Sequence, residues 1–328
     1  MVDQCFACKL TRELTSEHII PQAIGGRLKA RLYCKDCNDI FGHELDDVLS
    51  INFGKLGTLL NIKRERGEPQ PFDVTETSTQ TRLVFTGKSL SRKTPTVIFK
   101  SKDGDNLDFA DVTARTQKEL ETIKASLKQR YEMPDIVHQK TFQERNSRPV
   151  DANFKITIDD TLTRRAISKI AYSFLCSRIP KDQMLSSALE VVRNYIKGGE
   201  GSDLASSNFI HTKFMTDYRR PLHKIHVALN RGRTTVIGFV MLFGIYRYSI
   251  LLSDTFVSHF DWPGLDYTFD PLRIQIVPWN DEFRAPVLTK DNVLRPKQSE
   301  KLVLSELDKG HKMLENYIEK YEFVRNEF

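Results

Sequence analysis

The sequence predicts an α+β protein in which a small finger of two strands and a helix precedes a larger mixed α/β body with antiparallel strands. Three observations carry that expectation. Two Cys-x-x-Cys knuckles, Cys5/Cys8 and Cys34/Cys37, lie within the first forty residues. Runs over 72–112 and 222–252 alternate apolar and polar side chains and are bounded by Gly, Lys and Ser clusters, as strands are. Segments over 162–174 and 299–324 repeat apolar residues at helical spacing. The expected divisions are 1–66 for the finger, 67–150 for a β-rich region with a helix, and 151–328 for an α+β body with a targeting or regulatory task.

The finger is the organising stretch. Each knuckle presents two thiolates from one tight turn, and the two together complete a tetrahedral four-sulfur shell suited to Zn²⁺. Between them stands Glu17-His18-Ile19-Ile20-Pro21, whose apolar run reads as a strand ending at the proline. Neighbouring side chains on a flat strand point to opposite faces, so Glu17 and His18 share one site only on a twisted or looped segment. Gly25-Gly26 supplies a turn able to take positive φ, and the residues after it alternate basic and apolar as a returning strand does. A helix is expected from about Asp36, with Phe41, Leu45, Val48 and Leu49 on its buried side and Asn38 in its first turn.

Cys5, Cys8, Glu17-His18-Ile19-Ile20-Pro21, Gly25-Gly26 and Cys34-Lys35-Asp36-Cys37-Asn38 together resemble the HNH (His-Me finger) endonucleases, in the branch framed by a zinc ribbon. The resemblance covers about residues 5–50. It implies a ββα-metal finger in which a hairpin and the following helix clamp one catalytic divalent ion. It also implies cleavage that leaves 5′-phosphate and 3′-hydroxyl ends. In architecture the whole chain looks like bacterial proteins of this kind that act in defence against phages and plasmids. There the body senses a ligand or binds a partner that releases the nuclease.

The chemistry is consistent with that resemblance on its own terms. Phosphodiester hydrolysis needs an activated water, and a neutral histidine with an ordinary pKa of roughly 6.5 can deprotonate one. A carboxylate and an amide oxygen are hard donors suited to Mg²⁺ or Mn²⁺. His18 is therefore the expected general base, and Glu17 and Asn38 the expected ligands of the catalytic ion. The family often adds a later helix histidine as a ligand. The candidate here is His43, five residues after Asn38 and about 140° round an ideal helix, which suits a solvent-facing histidine better. Arg27, Lys29, Arg31 and Lys35 cluster on the hairpin and are the expected nucleic-acid contacts. A zinc module without catalysis, binding nucleic acid or a partner within a defence complex, is the alternative reading.

The body carries no such constellation. Leu162, Ala166, Ile167, Ile170, Ala171 and Phe174 mark a buried helix face, capped by Asp160 or Thr161 and preceded by NFKITID, which reads as a strand. Arg164, Arg165 and Lys169 read as the wet side of this helix. His223 and His226 are three apart on a strand, which does not suit one metal site. P-loop, Gly-x-Ser-x-Gly and dinucleotide fingerprints are absent from the sequence.

Composition sets broad limits. Across 328 residues, 40% are hydrophobic and 28% charged, with 49 basic against 43 acidic residues and a net charge of +6. Such an excess permits contact with a phosphate backbone. No apolar run approaches the ~20 residues that cross a bilayer, and no basic-then-apolar leader precedes Cys5. Four of five cysteines stand in the knuckles, leaving Cys176, which is metal-site usage in a reducing compartment. The expected location is the cytoplasm. The expected partners are DNA, with RNA the alternative substrate, and a second copy or a defence-system protein, with no membrane.

Overall fold

The computed structural model describes residues 2–87, 90–92, 96–103, 106–114, 117–130, 152–158, 160–198, 203–216, 218–230, 234–257, 264–278 and 288–325. They form two compact units, Met1–Pro69 with Ile156–Phe328, and Gln70–Lys155.

In the first unit β1 (Val2–Gln4), β2 (Thr11–His18) and β3 (Lys29–Cys34) make a three-stranded antiparallel sheet in the order β1-β2-β3. The helix α1 (Lys35–Phe41) starts directly from β3, passes through a π turn at Gly42–Asp46, and continues as α2 (Asp47–Leu59). Phe41, Leu45, Leu49 and Phe53 are buried along this run, as its apolar spacing requires. The strand β2 ends at His18 rather than at the proline. Ile19 and Ile20 follow as a buried bend, with only the Ile19 N–H still donating across to Leu28 O at 2.9 Å. At the turn Gly25 takes φ 94°, and a Cβ on Gly26 would stand 1.8 Å from the Ile20 carbonyl oxygen. No other residue type fits that crossing of backbones.

The second unit begins with β4 (Phe72–Glu76), β5 (Arg82–Phe85) and β6 (Leu90–Arg92). The hairpin of β7 (Thr96–Asp103) and β8 (Asn106–Thr113) follows, then α3 (Gln117–Arg130) and β9 (Ala152–Asn153). Its four-stranded sheet runs β6-β5-β4-β9, antiparallel throughout. The expected strand over NFKITID is reduced to Asn153. Beyond it, residues 154–158 still alternate between half-buried and exposed, but no ladder partner faces them among the described residues. Phe154 packs edge-on against Phe72 instead, 5.3 Å between ring centres.

The rest of the first unit opens with α4 (Thr161–Cys176), whose N-terminus is capped by Asp160 accepting from the Thr163 N–H. The short helices α5 (Lys181–Met184) and α6 (Glu190–Ile196) follow it. The strands β10 (Ala205–Ser207), β11 (His223–Leu229), β12 (Val236–Leu242), β13 (Tyr246–Ser253), β14 (Leu265–Asp270) and β15 (Gln275–Ile276) follow. They form one antiparallel sheet ordered β10-β13-β12-β11-β14-β15. The chain then runs through α7 (Lys290–Leu294) to the long α8 (Glu300–Arg325). None of the described helices is long and apolar enough to cross a membrane.

Every residue of β12 and β13 is buried, so this sheet is covered on both faces. Ile237, Phe239 and Met241 join Met215, Leu251, Leu288 and Val293 on one side. On the other, Gly238 lets α4 approach so closely that a Cβ there would lie 2.8 Å from Ala171 Cβ. Consequently α4 lies between the sheet and the finger, and all residues from Ala166 to Cys176 are buried. The expectation that Lys169 lies on a wet face is overturned: it is 0% exposed. Periodicity marks one apolar side of a helix, but this helix is packed nearly all round.

Candidate active site

The sulfur end of the hairpin is built from local backbone. Cys5 opens a tight loop closed by the Cys5 N–H on Leu10 O and the Lys9 N–H on Cys5 O, both 2.9 Å, with Lys9 in the left-handed region at φ 63°. Cys34 ends β3 and caps α1, and Cys37 lies in the first turn of that helix. The four Sγ atoms all lie within 4.8 Å of one another, with Cys8 and Cys34 3.9 Å apart and every thiol free. A tetrahedral zinc with Zn–S near 2.3 Å requires sulfurs about 3.8 Å apart. The donor set and its spacing therefore fit Zn²⁺. Cys5 is held towards its thiolate, at about 4, chiefly by the Cys37 thiol, with backbone N–H groups of Cys8, Cys34 and Ala7 assisting against burial.

The other end of the hairpin carries Glu17 and His18. A register shift between Thr15 and Ser16 sets Glu17 opposite Ala30 and His18 opposite Lys29. Glu17 turns inward and is 6% exposed. Its Oε1 accepts from Lys169 Nζ on α4, which also donates to both oxygens of Asp46 at 2.9 and 2.7 Å. Asp46 is carried there by the π turn, a feature often found beside functional sites. Burial pushes the Glu17 carboxyl up to about 7, with the Asp46 charge adding to the push and Lys169 opposing it. Burial works against the Lys169 charge too, but the Asp46 and Glu17 carboxylates outweigh it and raise its pKa.

His18 points the other way and stays 23% exposed. Its Nε2 lies 3.3 Å from Glu65 Oε2, and the same carboxylate takes Lys29 Nζ at 2.5 Å and stands 3.6 Å from the Arg27 guanidinium. Burial lowers the His18 pKa, the Lys29 and Arg27 charges lower it further, and Glu65 opposes them. Asn38 stands in the first turns of α1, and its Oδ1 is buried with no hydrogen-bond partner among the described residues. An orphaned amide oxygen of this kind is a cost unless something accepts its lone pairs, and a hard cation is one such group.

Among the other expected residues, Arg27 lies mostly inside, with Nη2 donating to Lys63 O, while Lys29 faces Glu65. Arg31 and Lys35 are exposed, Lys35 paired with Asp39. His43 is 86% exposed and stands 3.8 Å from Asp47. The sequence reading missed Asp46, Glu65 and Lys169. A signal existed for the last of these: Lys169 is the single charge in the run AISKIAYSFLC, where a wet face has no room.

The body also grips the finger through polar contacts. Tyr172 Oη donates to Phe6 O at 2.9 Å, and Tyr33 Oη shares a 2.7 Å hydrogen bond with Ser173 Oγ. His223 is fully buried, with Nε2 donating to Ile24 O at 2.8 Å and Nδ1 accepting from the Phe243 N–H at 3.3 Å. Burial lowers its pKa to about 4.

Compared with protein families, residues 5–54 match the model described as HNH endonuclease, a segment that holds both knuckles, Glu17, His18 and Asn38. Comparisons with curated proteins and with solved structures give no match.

Proposed function

We propose that this chain is a metal-dependent HNH endonuclease that hydrolyses DNA phosphodiester bonds, with a finger held in shape by Zn²⁺ on Cys5, Cys8, Cys34 and Cys37. The observation that carries the reading is the place of His18: a partly exposed imidazole with Nε2 3.3 Å from Glu65, next in sequence to a buried acid and inside the segment that matches the family model. With Nε2 towards Glu65, that nitrogen carries the proton and Nδ1 keeps the lone pair. The ring accepts the proton of an attacking water as general base. Arg31 and Lys35 are exposed for contact with the sugar–phosphate backbone, and Lys29 joins them when it exchanges Glu65 for phosphate.

Glu17 and Asn38 are the residues that hold the catalytic Mg²⁺ or Mn²⁺, and the orphaned Asn38 Oδ1 supports this donor set. The ion supplies Lewis-acid stabilisation of the charge that develops on the phosphoryl oxygens. The larger body, whose α4 reaches Glu17, is read as the control element of a cytoplasmic defence effector, acting by itself, as a homo-oligomer or through a protein partner.

A second reading is favoured by the engagement of Glu17 with Lys169: a zinc-containing subunit that binds nucleic acid or a partner without cutting. Incubating supercoiled plasmid, single-stranded DNA and RNA with the zinc-loaded protein and Mg²⁺ or Mn²⁺ separates the two. The nuclease reading expects nicked products whose 5′ ends are ligatable without phosphorylation. Retention of nucleic acid with no cleavage under any ion or with any candidate activator supports the second reading and defeats the first.

A further inference from the structure

Lys169 is a buried ionisable group that the proposed reaction leaves without a task. Its ammonium is wholly removed from water on a helix packed between sheet and finger, and it is held by one carboxylate from β2 and another from the π turn. Phe41 adds a ring face 6.0 Å away. Burying an ammonium is costly unless it is fully paired, and Glu17 and Asp46 supply that pairing. The dependence also runs in reverse. Two carboxylates that share hydrogen bonds to a single nitrogen lie close enough to repel each other unless a cation stands between them.

We propose that Lys169 is a built-in cation that occupies the Glu17–Asp46 carboxylate pair, so that a divalent ion binds at Glu17 only in competition with it. This inference rests on the reading of Glu17 as a metal ligand and deepens it by naming the control on that site. Two carboxylates and one ammonium leave a single negative charge, too little to draw a divalent ion strongly while the lysine stays in place. Because Lys169 belongs to α4, its retention is a property of the body. A displacement of α4 from the finger withdraws the ammonium and leaves the Glu17–Asp46 carboxylate pair without its cation. Autoinhibition through a tethered charge explains why the finger is embedded in the body rather than joined to it by a linker.

The test is Mn²⁺ binding, by calorimetry and by the paramagnetic signal of the free ion, on zinc-loaded wild type, Lys169→Met, Glu17→Gln and the double variant. Lys169→Arg serves as a control that alters the same side chain and keeps its positive charge. Lys169→Met is expected to bind Mn²⁺ at least about tenfold more tightly than wild type, and Glu17→Gln in that background is expected to abolish the gain. The variant also needs less Mn²⁺ for half-maximal nicking. Unchanged or weaker Mn²⁺ binding by Lys169→Met, or an equal gain in Lys169→Arg, overturns the inference. If the repelling carboxylates prevent Lys169→Met from folding, Mn²⁺ is expected to restore its cooperative thermal transition, and a variant left unfolded at every Mn²⁺ concentration counts against the proposal. Mn²⁺ binding indifferent to Glu17→Gln in both backgrounds overturns the ligand assignment instead, which separates the two failures.

Discussion

The two ends of the β2–β3 hairpin are held by opposite means. At the sulfur end the four ligands come from residues 5–37, and the backbone around them closes its own loop. At the acid–histidine end Asp46 comes from the finger's own helical run, but other neighbours come from further along the chain: Glu65 and Lys169 at the side chains, and His223 behind the turn at Ile24. One end takes its metal ligands from a short stretch of chain, and the body adds hydrogen bonds at Phe6 and Tyr33. The other takes its geometry and charge from the body, so the chemistry proposed for it is a property of the whole first unit.

The comparison is sharpened first at its local end. Cys34→Ala should release zinc and unfold the finger, because structural zinc in small units contributes on the order of 10 kcal/mol of folding free energy. Metal analysis of the purified variant checks this, and undiminished zinc would break the contrast. Glu17→Ala should leave zinc in place.

A pH series probes the distant end. His223 has a folded pKa near 4, below the roughly 6.5 of an exposed histidine. Between these values the unfolded chain binds the proton and the folded one does not, so stability falls as pH drops from about 6.5 and the loss saturates below about 4. The full loss is about 3 kcal/mol. Urea titrations across this window should show the slope in wild type and a flatter one in His223→Gln, on top of a lower stability at neutral pH. Equal slopes in the two proteins would remove His223 as a neutral pin between body and finger.

The smallest effect is expected at Tyr172→Phe. It leaves the buried Phe6 carbonyl without its donor, at a cost of about 1–2 kcal/mol. In a unit of this size that lowers Tm by a few degrees, roughly 2–4 °C per kcal/mol. Calorimetry showing an unchanged Tm would mean the body does not brace the first knuckle through this contact.

What was legible in the sequence follows the same division. The knuckles, the Gly25-Gly26 turn and the buried side of the finger helix all depend on residues near one another, and pattern alone reveals them. The strands β11, β12 and β13 of the large sheet were legible because alternation and turn residues are local as well, whereas β10, β14 and β15 were not read as strands. Lys169 was misread, since a charge on a helix ordinarily faces water, although its position as the single charge in AISKIAYSFLC pointed to packing of α4 on both sides. The residues around NFKITID show the converse: their alternation persists in the structure, but the ladder partner that makes alternation a strand is not supplied by sequence pattern. Glu65 lies outside the motif, and no spacing rule connects it to His18.

The central claim, that His18 removes a proton during phosphodiester cleavage, is tested most directly by single-turnover nicking of supercoiled plasmid. Wild type and His18→Ala are compared at matched zinc content, with saturating Mn²⁺ or Mg²⁺. The account expects the variant to cut about 10²–10⁴-fold more slowly, the usual contribution of a positioned general base. Equal rates for the two proteins would contradict it.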